Sequence, residues 1–340
     1  FSILDISTLE KYDSQKMYKI YDNWPQIARE SFESNQEPVN FENIDHIVFA
    51  GMGGSGSIGD LFSSILSKSD IHVSIVKGYL LPKTVDENTL VVTTSVSGNT
   101  SETLTVLDTA KKIGCKLIAF SSGGKMEKVC ENNHIMFKKI PFYHSPRTSL
   151  INFTYSILNI LNPILPIDKN HIMESLDGLD VMKKQITSQN LSNSNPAVNL
   201  ARWITGIPLI YYPHGLQSTA TRFKSSLQEN TKTHAIIEDV IEACHNGIVS
   251  WEKLSTVQPI LIQGEDDYIK TKERFEIIKE FFEKNNIDYK EIHSVSGNIL
   301  TKTVSLMYLL DYTTIYKAVF SKVDPSPVAS IDYIKSKLGS

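Results

Sequence analysis

Cysteine is scarce: Cys115, Cys130 and Cys244 are the three in a chain of 340 residues. The count is odd and no C-x-x-C occurs, which argues against a disulfide framework or a zinc ribbon and points to a reducing cytoplasm. All three read as plain buried thiols. Positive charge is not in excess either. Lys and Arg total 34 against 38 Asp and Glu, a net charge of −4, so nothing marks a nucleic-acid binder. Long hydrophobic runs are missing: the stretches near 160–165 and 304–310 fall well short of the roughly 20 apolar residues that span a bilayer. The opening Phe1-Ser2-Ile3-Leu4-Asp5 has no basic lead or apolar core, so no secretion signal is expected there. Nine histidines form no H-x-H or H-x-x-x-H pair, and no metal is expected. What is present is 41% hydrophobic residues, enough for a sizeable core, and a length that suggests two domains.

Residues 8–34 are polar with scattered apolar positions, the pattern of one or two leading helices. From residue 46 short apolar runs alternate with helical spacing. Strands are expected at 46–50, 72–76, 89–94, 116–120 and 134–138, with helices at 57–66, 100–113 and 125–131. Residues 151–203 carry helical spacing without strands. The alternation resumes after Pro208, with strands at 209–212, 235–237, 259–263 and 289–293. Helices are expected at 217–230, 239–245, 270–285, 299–320 and 327–338. Strands alternating with helices predict mostly parallel sheets covered on both faces.

Two glycine–serine loops interrupt this pattern, each directly after a strand. The first is Gly51-Met52-Gly53-Gly54-Ser55-Gly56-Ser57, where glycines allow a tight turn and close approach to a ligand. Ser57 and Asp60 are spaced like a capping box for the next helix, whose start favours an anion. The loop satisfies G-x-G-x-x-G, but Lys77-Gly78-Tyr79 follows the next strand where a dinucleotide site wants an acid, which argues against NAD. No lysine precedes Ser57, so the ATP loop pattern fails too. The second loop is Ser95-Val96-Ser97-Gly98-Asn99-Thr100, with Asn99 and Glu102 as another capping pair. One such loop is an ordinary hydroxyl-rich turn. Two at the ends of strands of one sheet make a cradle of hydroxyl and N–H donors suited to a phosphate monoester.

Gly53-Gly54-Ser55-Gly56 together with Ser95-x-Ser97-Gly98-Asn99-Thr100 resembles the sugar isomerase (SIS) domain. Further motifs are Ser145-Pro146-Arg147, Gln228-Glu229-Asn230-x-Lys232, His245-Asn246-x-Ile248-Val249 and Val323-Asp324-Pro325-x-Pro327-Val328 through Lys335. With them the chain resembles the archaeal and bacterial bifunctional phosphoglucose/phosphomannose isomerase family over about residues 45–338. The resemblance implies an α/β fold of two SIS-type three-layer αβα sandwich domains with N-terminal and bridging helices. Its divisions would be an N-terminal helical segment at 1–39, a first SIS domain at 40–155, a helical bridge at 156–203 and a second SIS-like domain at 204–340.

The implied activity is metal-independent and cofactor-free interconversion of glucose 6-phosphate, and of mannose 6-phosphate, with fructose 6-phosphate through a cis-enediol. Gly53, Gly54, Ser55, Ser95, Ser97 and Thr100 would hold the phosphate. Glu229 would be the proton-transfer base, His245 and Lys335 the ring openers, and Arg147 the stabiliser of enediolate charge. His245 would come from the neighbouring subunit of a homodimer. Lys337, two residues on from Lys335, faces elsewhere on a helix. The chain departs from the family pattern at Gly247 and Ser250, where Glu and Gly are usual, and at Thr148-Ser149-Leu150, where small residues are usual. Another SIS-domain isomerase is one alternative. A non-catalytic phosphosugar sensor is the other, and it would not need the acid–base set.

Overall fold

The computed structural model describes residues 3–339. Three short helices come first: α1 (Ile6–Tyr12), α2 (Met17–Asp22) and α3 (Trp24–Phe32). Next are β1 (His46–Ala50), α4 (Gly53–Ile65), β2 (His72–Val76), β3 (Thr89–Ser95), α5 (Ser101–Ile113), β4 (Lys116–Ser121), α6 (Gly124–Asn133) and β5 (Met136–Lys139). Helices α7 (Leu150–Ile160), α8 (Lys169–Ile186) and α9 (Pro196–Trp203) follow. The alternation resumes with β6 (Ile207–Tyr212), α10 (Gln217–Thr231), β7 (Ile236–Asp239), α11 (Val240–Ala243), β8 (Val257–Gln263), α12 (Ile269–Lys284) and β9 (Lys290–His293). Helices α13 (Ile299–Phe320) and α14 (Ala329–Leu338) close the chain. The sequence predicts all nine of these strands, and the α/β class of the fold follows from them.

Two compact units emerge. One holds Asn23–Lys169 and the segment from Val328 onward; the other holds the segment up to Asp22 and Asn170–Pro327. Sequence reading set off 1–39 as one piece and kept the last helix with residues from 204. The contacts instead part the leading helices between Asp22 and Asn23 and group α14 with the first sheet. The reason is packing: α3 lies on α7, whereas α1 and α2 lie on α13.

The first unit carries a five-stranded parallel sheet in the order β2-β1-β3-β4-β5. Every residue of β1 and β3 is buried, as a central parallel strand with both faces covered requires. Val48, Ala50, Val76, Val91, Val106 and Ala110 form one core cluster; Leu107, Ala119, Met126 and Cys130 form another. Burial pushes the Cys130 thiol up to about 11, so it is a core residue and not a reactive one.

At the amino end of this sheet, away from the loops, His46 is buried and its ring lies 4.7 Å from that of His72. Its Nε2 meets the Ser74 hydroxyl at 2.7 Å. Burial, followed by the neighbouring His72, holds His46 below the ordinary value of 6.5 against the opposing pull of Asp45 and Asp86. A histidine kept neutral in this way contributes stability that is complete above 6.5 and is lost as pH falls towards its lowered value. Denaturation midpoints should therefore drop from pH 7.5 to pH 5, and His46→Asn should flatten that dependence. An unchanged pH dependence in the variant would place the loss elsewhere.

The second unit carries a four-stranded parallel sheet, β7-β6-β8-β9, with Leu209, Tyr211, Leu261, Phe275 and Phe282 in its core. Helix α13 is buried on nearly all sides, which its apolar sequence anticipates. Tyr308, Tyr312 and Tyr316 run along it at helical spacing, the last two with rings 4.7 Å apart. The Tyr308 and Tyr316 hydroxyls donate to the Tyr21 and Ile186 carbonyls, which ties α2 and the end of α8 to this spine.

Candidate active site

In the first sheet the chain steps from β1 outward to β2 and then returns to β3 on the other side of β1. The switch point therefore lies between β1 and β3, and the crevice outside their carboxyl ends is where such sheets bind ligands. The two serine loops follow β1 and β3 and flank that crevice. Ser55 joins them, because its hydroxyl accepts the Val96 N–H at 3.2 Å.

Helix α4 begins at Gly53, four positions earlier than its sequence suggests, so the Ser57–Asp60 capping box does not form. Ser57 lies inside the helix and its hydroxyl turns back to the Gly53 carbonyl. Asp60 pairs instead with Lys77, 2.5 Å away. The first intrahelical bond runs from the Gly56 N–H to the Met52 carbonyl. The Gly53, Gly54 and Ser55 amides thus stand in the first turn, where a helix has no carbonyls of its own to offer them. Together with the macrodipole they form an anion-binding end.

The second loop is built from its own hydroxyls. The Ser95 and Thr100 hydroxyls are 3.0 Å apart, and Ser95 Oγ also accepts the Gly98 N–H at 3.0 Å. Ser97 Oγ accepts the Asn99 N–H at 3.2 Å, and its residue is exposed. Thr100 is the N-cap of α5. Asn99 does not cap that helix with Glu102: its carbonyl oxygen accepts the Lys125 N–H at 3.0 Å. Sequence reasoning missed why. A third loop, Ser121-Ser122-Gly123-Gly124, leaves β4 and packs against the second, with the Met126 N–H on the Gly98 carbonyl at 2.8 Å. Gly98 has φ 73°, and a side chain there would run into the Gly123 carbonyl. The signal for this third loop was present as one more hydroxyl–glycine run at a strand end.

Arg147 opens a short 3₁₀ turn ahead of α7 and is buried. Its backbone is pressed onto the first loop: a Cβ on Gly54 would come within 2.8 Å of the Pro146 carbonyl and 3.0 Å of the Arg147 Cα. Thr148 anchors the turn by donating to the Tyr143 carbonyl at 2.7 Å, and Trp24 Nε1 donates to the Thr148 carbonyl at 3.0 Å. The first unit thus brings a guanidinium-bearing turn against the glycine loop. Lys335 is exposed on α14. The Lys337 ammonium lies over the Tyr333 ring, 5.6 Å from its centre.

In the second unit, half-buried Glu229 sits in the last turn of α10. Two turns earlier on the same helix, Arg222 Nη2 meets Asp311 Oδ2 at 2.7 Å with both side chains buried. Ser226 and Tyr21 donate to the same carboxylate at 3.2 and 3.0 Å. Burial works against the guanidinium, yet Asp311 outweighs it and Arg222 stands above its ordinary value, with Glu229 adding to the pull. His245 is exposed just beyond α11, and its N–H bonds to the Glu242 carbonyl. The missing side chain at Gly247 has a counterpart: the Glu238 carboxylate fills the space a side chain there would need. Burial raises that carboxyl.

The loop that leaves β8 at the second sheet's own switch point, between β6 and β8, carries Glu265, Asp266 and Asp267 in place of hydroxyls; Asp266 pairs with Lys302 at 3.2 Å and Asp267 accepts the Gly264 N–H at 2.8 Å. Among the described residues, no group of three or more His, Cys, Asp and Glu could hold a metal ion, and no helix is long and apolar enough to cross a membrane.

A doubly wound parallel sheet with two hydroxyl–amide loops at its switch point is the frame of an α/β protein built to hold a phosphate group. Residues 40–161 match the SIS domain, and residues 193–338 match the bacterial phospho-glucose isomerase C-terminal SIS domain. The bifunctional phosphoglucose/phosphomannose isomerase of Caldicellulosiruptor bescii is 31% identical over 95% of this chain and 98% of its own. The D-glucosamine-6-phosphate 4-epimerase of Sulfolobus acidocaldarius is 29% identical over 68% of this chain and 72% of its own. The fold is shared with the C-terminal domain of glucosamine-fructose-6-phosphate aminotransferase from Francisella tularensis, at TM-score 0.68 and 14% identity over 91% of this chain and 96% of that one. The chain belongs to the bifunctional phosphoglucose/phosphomannose isomerase family of SIS phosphosugar isomerases.

Proposed function

We propose that the protein is a cytoplasmic, metal-independent aldose–ketose isomerase. It interconverts glucose 6-phosphate with fructose 6-phosphate, and mannose 6-phosphate with fructose 6-phosphate. The observation that carries this reading is the linked pair of loops at the first sheet's switch point, with the Arg147 turn packed on one of them. The Gly53, Gly54 and Ser55 amides and the Ser55, Ser95, Ser97 and Thr100 hydroxyls offer the donors that a phosphate monoester needs.

The remaining roles are assigned residue by residue. His245 and Lys335 open the ring by moving a proton from the O1 hydroxyl and delivering one to O5. The Glu229 carboxylate then takes the C2 proton of the open aldose while O1 gains a proton, giving the cis-enediol. The proton returns to C1 as O2 loses its own, which leaves the ketose. Arg147 stabilises the negative charge that develops between these states.

A coupled assay on fructose 6-phosphate, with and without EDTA, tests the reading. Glucose 6-phosphate and mannose 6-phosphate each formed at the same rate with and without chelator support it; activity abolished by EDTA, or no aldose phosphate formed from fructose 6-phosphate, would overturn it. Ser97→Ala should raise KM for the sugar phosphate about tenfold or more, since a hydrogen bond to a charged group is worth roughly 1.5–3 kcal/mol. An unchanged KM would remove Ser97 from the phosphate site.

The working unit is a homodimer in which His245 serves the neighbouring subunit. Mixing inactive Glu229→Gln and His245→Ala chains under exchange conditions should then restore part of the activity, because one site of each heterodimer regains both groups. Mixtures that stay inactive would place both groups in one chain.

A further inference from the structure

Helix α10 ends at Thr231, and Lys232 follows in the left-handed region with φ 56°. That position after a helix suits glycine, and a side chain there carries a steric cost. An outlier of this kind asks what its side chain does. The Lys232 ammonium donates to the Glu229 carbonyl at 2.7 Å and to the Pro325 carbonyl at 3.1 Å. It therefore bridges the helix end that carries Glu229 and the turn that precedes α14 in the chain. That turn is itself closed by Asp324, which accepts the Ser326 N–H at 3.0 Å and the Ser14 hydroxyl.

The same helix is also tied to α13. Arg222 fixes the middle of α10 to Asp311, and Asn230 Nδ2 donates to the Thr314 hydroxyl at 2.8 Å. Helix α13 thus holds α10 at two points about two turns apart, and Lys232 holds the residue just before Asn230 by its carbonyl. A cation at this end also complements the helix dipole.

We propose that Lys232 is a positioning residue of the isomerase: its ammonium clamps the Asp324–Pro327 turn onto the last turn of α10 and so fixes the Glu229 carboxylate. The proposal rests on Glu229 being the proton-transfer base.

The test is Lys232→Gly beside Lys232→Arg and Glu229→Gln, read by kcat, KM, thermal midpoint and amide hydrogen exchange across 324–327. Glycine relaxes the left-handed backbone, so the thermal midpoint of Lys232→Gly should not fall. Its kcat should drop on the order of ten- to a hundredfold, the scale of misplacing a catalytic group, with KM unchanged and exchange across 324–327 faster. Lys232→Arg keeps the cation and should retain most of kcat. Wild-type turnover in Lys232→Gly overturns the proposal, as does an equal loss in Lys232→Arg. Glu229→Gln separates the two claims. If it keeps turnover, the base assignment fails whatever Lys232 does; if it alone loses turnover, only the clamp fails.

Discussion

Glu229→Gln should lower kcat about a hundred- to ten-thousandfold, the usual cost of losing a general base. The substitution keeps shape and hydrogen-bonding reach and removes only the capacity to take a proton. KM should change little, because the phosphate donors lie in loops of the first sheet, on Ser55, Ser95, Ser97 and Thr100. Ring opening assigned to His245 and Lys335 should survive, so the variant still equilibrates the cyclic and open sugar. The distinction is measurable as the rate of anomer interconversion against the rate of isomerisation. A variant that retains near-normal isomerisation would transfer the base role to another group.

The largest effect on stability should come from Asp311. Its carboxylate is fully buried and accepts from Arg222, Ser226 and Tyr21. Asp311→Ala leaves the Arg222 guanidinium buried without its counter-charge, a situation that costs about 3–5 kcal/mol. The double substitution Arg222→Met with Asp311→Leu removes both charges and should cost much less than the single one, because an apolar pair of similar volume needs no partner. Urea denaturation of Asp311→Leu, Arg222→Met and the double variant supplies the cycle, with Asp311→Ala measured beside them. A double variant as unstable as Asp311→Ala would mean that packing around these side chains matters more than their charges.

The strands and the phosphate loops were legible because each is local. A run such as Leu90-Val91-Val92 between polar turns reads as a buried parallel strand, and a glycine–hydroxyl run directly after it reads as a ligand loop. The capping boxes misread the same loops, for a physical reason. Glycine lets α4 start inside the loop at Gly53, and a third loop takes Asn99 for the Lys125 amide. Both outcomes depend on neighbours that spacing does not reveal. The same holds for Arg222 and Asp311, which lie 89 positions apart and carry no shared motif. Glu229 and His245 were singled out by resemblance alone; on spacing, a glutamate in a last helical turn and a histidine after a short helix are unremarkable surface residues. The parting of the leading helices between Asp22 and Asn23 was hidden as well. It depends on Tyr18 and Tyr21 being buried in the unit of the Tyr308–Tyr316 spine, while Trp24 anchors in the other unit through the Thr148 carbonyl.

Proton NMR of glucose 6-phosphate incubated with the protein in D2O tests the central claim most directly. Transfer through a cis-enediol by a single carboxylate predicts that fructose 6-phosphate appears and that the glucose 6-phosphate signal at C2 decays as deuterium enters from solvent. In the presence of Glu229→Gln both changes should all but stop. A C2 proton that stays in place while the sugar is left unconverted, or a change confined to C4, would contradict an aldose–ketose isomerase.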